Sequence, residues 1–493
     1  MSVNVSDEAD STFVAVILAG GSGLRFWPLS REISPKQLLS IFGTESLIAQ
    51  AVHRVLPYVM AGSGGVRIVT GERLIDELRS NLAAQGDARL GQLTYLVEPA
   101  SRNTAPAIAL AAAELVTEDA DAVMIVLPSD HLVDSGPAWA DAIASARALA
   151  NDGMLVTIGT RPDRAETGYG HIRGGQPMQE YDRGTAHPLR VAEFIEKPDA
   201  ERCAAFLADG GYFWNAGIFV MRASAVLEEL REASPEGRQI ADTAEWVIAH
   251  PDEHAECRRR FGELPSLSID YAIMQTSRRV AVIPGDLHWS DVGSLVALGG
   301  LADADANGTV RVGRGVDIDT GDSIVYSTDR LVATLGLSDT IVVDTRDATL
   351  VLAKDRVQDV RLIVDALRVA GADEVLLPKV SLRPWGSWTS LLAGPGYHIK
   401  LLEIKPGCQP SLQRHRHRSE HWIVVAGTAL VTCGSDAIEV HVNEGAYIPV
   451  GAVHRIANCG KVLLKVIEVQ LGEYVGEDDI ERLQDDWNRE ACS

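Results

Sequence analysis

VAVILAGGSGLRFWPLSREISPKQ, running from Val14 to Gln37, decides how the amino-terminal part of this chain folds. The apolar run Phe13 to Leu18 is long enough for a buried strand and too short for a helix. Ala19-Gly20-Gly21-Ser22-Gly23 then ends it with three glycines in four residues. Glycine lets the backbone bend sharply and bring its N–H groups close to a bound anion. Arg25 stands inside the loop and Lys36 follows Pro35. A strand, a glycine-rich turn and two cations are what a polyphosphate site requires, because the amides cradle oxygens and the side chains neutralise charge that develops during phosphoryl chemistry. The glycines do not fall in the GxGxxG pattern, and the terminal GK[ST] of a P-loop is absent, so neither a dinucleotide fold nor a P-loop NTPase is supported. From the loop alone, a purely structural glycine turn stays open.

Composition narrows the classes. At 493 residues the chain should hold two or three domains. Hydrophobic residues at 46% and charged residues at 23% describe a soluble globular protein. A net charge of −23 argues against a nucleic-acid partner, since phosphate backbones bind basic surfaces. Met1 to Asp10 lacks the basic start and apolar core of a signal peptide, and no apolar run reaches the ~18 residues of a membrane span. The six cysteines form no CxxC, which fits free thiols in a reducing cytoplasm.

From Phe13 to about Gly300, short apolar runs (Val66–Thr70, Leu93–Val97, Val123–Leu127, Leu155–Gly159) alternate with helical stretches such as Ala138–Ala150. This predicts an α/β domain over residues 13–300, Rossmann-like, with a mixed, mostly parallel sheet and ligands beyond the carboxyl ends of its strands. Glu98-Pro99-Ala100-Ser101-Arg102-Asn103-Thr104-Ala105-Pro106 follows such a run and leads into an Ala- and Leu-rich helix. Asn103 is a natural cap for it, and Arg102 beside a helix N-terminus would favour an anion or the polar edge of a base. Asp130, after Val123–Leu127, and Asp291, in Trp289-Ser290-Asp291-Val292-Gly293-Ser294, are hard oxygen donors suited to Mg²⁺ beside a triphosphate. Each alone also reads as a turn residue. Three further stretches suit a sugar phosphate: the glycine-bracketed loop through Gly170, the pair Glu196-Lys197 at a strand's end, and Asn215 among aromatics. A surface ion pair and core aromatics are the plain alternatives.

From about Asn307 to Lys354 short runs of Val, Ile and Leu recur between Gly and Asp turns, which predicts a small β-solenoid or sheet that links or contacts subunits. Asp355 to Ala370 carries apolar residues at helical spacing and closes that unit. The expected boundaries are a disordered tail over 1–12, a linking domain over 301–378 and a β-rich domain over 379–493. Within the last, Gln413, His415 and His417 share one face if they lie on a strand. Glu420 follows, and His454 stands in Pro449-Val450-Gly451-Ala452-Val453-His454. Such donors suit a divalent metal; a solvated basic strand is the alternative for RHRHR.

AGGSGLRFWPLS with PKQ resembles the signature of the sugar-nucleotide pyrophosphorylases, and WPLSR points to their mannose-1-phosphate guanylyltransferase branch. PSDH and WSDVGS are similar to motifs of that family; ETGYG, EKP and FWNAG, in this order, match its pattern, as does SIDY. Leu24 departs from it by replacing a small hydroxyl residue. The resemblance implies nucleotide contacts at Leu18, Ala19, Gly20, Gly21, Gly23, Arg102, Asn103 and Thr104. It implies catalytic roles for Arg25 and Lys36, a Mg²⁺ pair at Asp130 and Asp291, and sugar-phosphate contacts at Gly170, Glu196, Lys197 and Asn215. The reaction implied is attack of mannose 1-phosphate on the α-phosphorus of GTP, giving GDP-mannose and pyrophosphate; guanine specificity rests on this resemblance.

The carboxyl-terminal stretch resembles the two cupin motifs, G-x5-H-x-H-x4-E-x6-G with Gln413 in the first His position and P-x-G-x2-H-x3-N with its upstream glycine displaced to Gly445. From RPWG through SEHWIVVAGTA it is similar to type II mannose-6-phosphate isomerases. This implies a cupin β-barrel with Gln413, His415, Glu420 and His454 around Zn²⁺ or Co²⁺; the register through His415 and His417 is the alternative. It also implies interconversion of mannose 6-phosphate and fructose 6-phosphate, with Arg418 near the substrate phosphate or the chemistry. A bifunctional cytoplasmic enzyme, homo-oligomeric and free of nucleic acid and membrane, is the expectation. The second reading keeps the transferase and makes the cupin a non-catalytic sugar- or metal-binding module.

Overall fold

The structure, a computed structural model, describes residues 11–21, 23–59 and 65–484. The tail expected over 1–12 therefore lies, up to residue 10, outside the described residues. Ser11 and Thr12 hydrogen-bond to Asn151 Oδ1 (2.8 Å) and Asp119 Oδ2 (3.2 Å). The chain divides into two compact units. One takes the chain up to Gly21, Leu39–Ile75 and Gln92–Ala297; the other takes the segment ending at Leu38, Asp76–Gly91 and the chain from Leu298 on.

The first unit is built on a nine-stranded sheet. Its order is Thr94–Glu98, Val66–Gly71, Phe13–Leu18, Val123–Pro128, Tyr212–Arg222, Leu155–Thr160, Val280–Pro284, Leu189–Ile195 and His171–Pro177. The first four run parallel, so Leu18, Glu98 and Pro128 all end on one edge of the sheet. Tyr212–Arg222 is antiparallel to both Val123–Pro128 and Leu155–Thr160. Phe13–Leu18 and Val123–Pro128 read as unbroken apolar runs because both faces are covered. One cover is the helix Thr104–Glu118, whose buried alanines let the helices Ala223–Ala233 and Pro235–Ala249 approach closely. Asn103 caps it, its side chain accepting from Thr104 N at 2.8 Å.

In the second unit, Val310–Val312, Ile324–Ser327 and Thr340–Asp344 pair in parallel, as do Gly315–Ile318 and Val332–Leu335. The helical spacing over 355–370 splits into a 3₁₀ turn, Lys354–Asp359, and an α-helix, Val360–Val369. Two antiparallel sheets of six and five strands complete the unit. Trp385, Ile404, Trp422, Val424, Val431, Ile456 and Val466 form a buried core there.

The segment from Gly23 to Leu38 belongs to this second unit, and residues 344–376 hold it. Trp27 Nε1 donates to Glu374 O at 3.0 Å, and the backbone N–H groups of Glu32 and Ile33 donate to Val375 O (3.1 Å) and Leu376 O (3.3 Å). Arg368 pairs with Glu32 at 2.6 Å. Arg31 is 1% exposed and Asp347 meets its guanidinium at 2.8 Å. Burial pulls Arg31 down from its ordinary value, and Asp347 opposes that pull. Removing one partner of a buried pair leaves an uncompensated charge, which costs ~3–5 kcal/mol. Asp347→Ala should therefore lower unfolding free energy by about that amount in denaturant titrations. A loss under ~1 kcal/mol would mean that the pair does not hold the segment.

Candidate functional site

In the first unit, the strand Phe13–Leu18 delivers Leu18 and Ala19 to the sheet edge. Ser129 N donates to Leu18 O at 3.1 Å, and Thr70 Oγ1 donates to Ala19 O at 3.1 Å. The glycine turn is thus tied to the strand ends on both sides, while Gly20 and Gly21 stay exposed. Glu98 lies against Gly20: a Cβ there would sit 3.6 Å from Glu98 Oε2. Glu98 is 8% exposed, and burial pushes its carboxyl up to about 7. Asn103 adopts φ 71°, and Arg102 Nε is buried without a hydrogen-bond partner among the described residues. Thr104 Oγ1 accepts from Ile269 N at 2.9 Å.

The loops carrying Asp130 and Asp291 are stitched together by a reciprocal backbone bridge between Leu132 and Ser290, at 2.9 and 3.0 Å. Trp289 Nε1 donates to His131 Nδ1 at 3.2 Å. Tyr169 O–H donates to Asp291 Oδ1 at 2.6 Å, and the Tyr169 ring sits edge-on to Trp214 and Trp289. Burial, then Asp291, push the Tyr169 phenol up, which keeps it a donor. Val292, after Asp291, has φ 47°, a conformation that β-branched residues rarely adopt and that local contacts must enforce.

Gly170, Glu196 and Asn215 converge. A Cβ on Gly170 would lie 2.6 Å from Glu196 Oε2 and 3.2 Å from Asn215 Cβ, so the absent side chain is what lets these groups meet. Asn215 Nδ2 donates to Asp270 Oδ1 at 2.8 Å, while its Oδ1 accepts from Thr157 Oγ1 at 2.9 Å. Lys197 Nζ lies 3.1 Å from Glu196 Oε1 and is itself exposed. Burial, with Glu196 nearby, pushes Asp270 up to about 6.

In the second unit, Gly23 has φ 57°, and a Cβ there would fall 2.5 Å from Lys36 Cβ. The loop closes on Lys36 because this position has no side chain. Lys36 is buried with its Nζ 5.6 Å from the Phe26 ring, and Arg25 is exposed, its Nη1 3.5 Å from Gln358 Oε1.

The carboxyl-terminal cluster takes one residue from each of three strands. Strand Leu412–His415 pairs with His454–Ala457 through Gln413 and His454, and Glu420 comes from Arg418–Ala426 in the other sheet. His415 Nε2 lies 3.1 Å and His454 Nε2 3.6 Å from the two oxygens of Glu420. The ligand atoms of all three fall within 4.8 Å of one another, and all three residues are buried. His454 Nδ1 lies 2.9 Å from Ala452 O. If it donates there, the lone pair is on Nε2, which is buried with no hydrogen-bond partner among the described residues and is in the state a metal takes. Gln413 Oε1 accepts from Ser411 Oγ at 3.0 Å. These donors fit a divalent ion.

The shared face expected of Gln413, His415 and His417 is broken. The strand ends at His415, so His417 turns outward and binds Asp479 at 2.7 Å. Arg418 is 1% exposed and spans Glu420 Oε1 (3.2 Å) and Gly476 O (2.7 Å). Burial works against the Glu420 charge, yet His415, His454 and Arg418 hold its carboxyl below the ordinary range. A cavity beside the cluster is lined by Arg383, Lys400, Arg418, Arg455 and Arg482, together with Glu468. Burial, then Glu420, push Glu468 up.

The Nucleotidyl transferase family model matches residues 14–307, more than half of the chain. The chain belongs to the nucleotidyl transferase family. Within this family member, residues 313–367 match a MannoseP isomerase/GMP-like beta-helix domain, and 370–485 match Mannose-6-phosphate isomerase C-terminal. The chain is similar to Alginate biosynthesis protein AlgA of Pseudomonas aeruginosa, at 40% identity over 97% of this chain and 98% of the relative. It is similar to Mannose-1-phosphate guanylyltransferase of Escherichia coli, at 39% over 98% and 100%. A solved structure, a mannose-1-phosphate geranyltransferase from Thermus thermophilus, matches with TM-score 0.62 and 32% identity, over 72% of this chain and 99% of that one.

Sequence reasoning missed Glu98, Tyr169 and Glu468 as site residues and did not single out Asp270. Glu468 left a signal: in Leu464–Gly472 the inward face changes from Leu464 and Val466 to Glu468 and Gln470, polar residues where alternation calls for apolar ones.

The raised Glu98 carboxyl has a consequence for this transferase. The folded state holds its proton up to about pH 7, whereas an unfolded carboxyl loses it near 4.5. That contribution to stability is present below pH ~4.5 and is lost as pH rises through ~7, by up to about 3 kcal/mol. Glu98→Gln should flatten this part of the unfolding free energy against pH; an unchanged slope would contradict the assignment.

Proposed function

We propose that the nucleotidyltransferase domain, residues 13–300, makes GDP-mannose from GTP and mannose 1-phosphate, releasing pyrophosphate, and that the carboxyl-terminal domain interconverts mannose 6-phosphate and fructose 6-phosphate. The observation that carries the pairing is one chain holding both the loop-borne carboxylates Asp130 and Asp291 and the buried His415–Glu420–His454 cluster. Near-full-length similarity to a protein named Mannose-1-phosphate guanylyltransferase supports the first activity. The match to Mannose-6-phosphate isomerase C-terminal supports the second. A mutase must link the two, since nothing in the sequence offers a phosphoserine site.

In the transferase, an oxygen of mannose 1-phosphate attacks the α-phosphorus in line, and no covalent enzyme intermediate is needed. Leu18, Ala19, Gly20, Gly21 and Gly23 supply backbone to the nucleotide, with Arg102, Asn103 and Thr104 at the helix start beside it. Arg25 and Lys36 neutralise the charge that grows on the phosphates. Glu196, Lys197 and Asn215 hold the sugar phosphate against the Gly170 backbone. Asp130 and Asp291 would hold Mg²⁺, which supplies charge neutralisation on phosphate oxygens; Tyr169 keeps Asp291 oriented.

In the isomerase, Gln413, His415, Glu420 and His454 would hold Zn²⁺ or Co²⁺, which polarises a carbonyl and its neighbouring hydroxyl. Arg455 Nη1 and Arg482 Nε are buried without partners among the described residues, a lining suited to the substrate phosphate. Arg418 balances Glu420 at the cavity wall. The parallel linking strands read as a small β-solenoid and the two carboxyl-terminal sheets as a cupin barrel. The whole acts as a cytoplasmic homo-oligomer.

Separate sites make opposite predictions for two variants. Asp291→Asn should lower GDP-mannose formation at least ~100-fold in a pyrophosphate-release assay and leave isomerase turnover unchanged. His454→Ala should do the reverse, with loss of bound metal. Equal loss of both activities in either variant would contradict separate sites.

A further inference from the structure

Aldose–ketose isomerisation needs a group that carries a proton between two neighbouring carbons, and the roles assigned so far leave that group unnamed. Arg418 does not serve: a guanidinium has no acceptor for a proton, and its Nε and Nη1 donate to Glu420 and Gly476. His415 and His454 would hold the metal. His417 faces outward. Among the acids, Glu477 lines the cavity but pairs with Lys400.

Glu468 is different. It is 5% exposed, lines the cavity, and forms no ion pair within 4.0 Å among the described residues. Strand pairing sets it between Lys400 on one neighbour and Trp422 on the other. Two donors link it to the metal carboxylate. Trp422 Nε1 reaches Glu468 Oε1 at 3.1 Å and Glu420 Oε2 at 3.2 Å. Gln470 Nε2 reaches Glu468 Oε2 at 3.0 Å and Glu420 Oε1 at 3.1 Å. Each Glu468 oxygen is therefore fixed by one donor and keeps a lone pair for another proton. Gln470 also lines the cavity, and its Oε1 is buried with no hydrogen-bond partner among the described residues.

We propose that Glu468 is the catalytic base that shuttles the proton between C2 of mannose 6-phosphate and C1 of fructose 6-phosphate. This rests on the isomerase reading above. The C2–H bond breaks with its proton going to Glu468, its electron pair forms a C1=C2 bond, and the C1 carbonyl π pair moves onto O1 to give an enediolate. Glu468 returns the proton to C1, forming the new C–H bond. The hydroxyl proton moves from O2 to O1 as the carbonyl passes from C1 to C2. Atoms and electrons balance, and Glu468 is regenerated.

The test is Glu468→Gln in the full-length, metal-loaded protein. Fructose 6-phosphate formation should fall ~10²–10⁴-fold. Metal content, calorimetric affinity for mannose 6-phosphate and GDP-mannose synthesis should stay as in the parent. In D₂O the parent should place deuterium at C2 of recovered mannose 6-phosphate and the variant should not. Turnover within tenfold of the parent would overturn the proposal. So would loss of metal in the variant, because Glu468 would then act through the ligands. A parent protein with no turnover under any divalent metal would remove the isomerase reading itself, and with it this role.

Discussion

A carboxylate keeps its charge in a protein interior only when cations or strong donors face it. Glu420, fully removed from solvent, is where this chain meets that constraint. His415, His454 and Arg418 surround it, Trp422 and Gln470 donate to it, and these residues come from both sheets of the carboxyl-terminal domain. The strands Arg418–Ala426 and Leu464–Gly472 therefore have little freedom of register. A one-residue shift of Arg418–Ala426 would turn Glu420 and Trp422 away from the cluster together, and one of Leu464–Gly472 would do the same to Glu468 and Gln470. The packing that makes a core and the placement that makes a site are here the same requirement.

In the amino-terminal unit the backbone sets the corresponding constraint. Parallel pairing brings three strand ends to one edge, and each continues into a loop that carries a candidate ligand group. Close approach is permitted by the missing side chain at Gly170, and Asn103 and Val292 adopt unusual dihedrals. The Gly23–Leu38 segment belongs with residues 344–376, held there by the buried Arg31–Asp347 pair and by backbone hydrogen bonds. The β-rich stretch between the two chemical parts thus supports the loop that carries Arg25 and Lys36.

The strands of the first sheet were legible because burial on both faces leaves unbroken apolar runs at Phe13–Leu18 and Val123–Pro128. The cap at Asn103 was legible because its chemistry is local. Asp270 and Glu468 were not, since their importance comes from what non-adjacent strands place beside them. Glu98 stood in a recognised motif, yet its burial against Gly20 is a tertiary fact. His417 shows the limit of the period-two rule: it holds only while the strand continues, and nothing in RHRHR marks where the strand stops.

The most direct test of a chain with two active sites is the interconversion of mannose 6-phosphate and fructose 6-phosphate by the purified protein, before and after chelation. Turnover that disappears with the chelator and returns with added divalent metal, while GDP-mannose synthesis is followed separately in Mg²⁺, is the predicted result. GDP-mannose synthesis without isomerase turnover under any divalent metal would contradict it and leave a guanylyltransferase carrying a binding module.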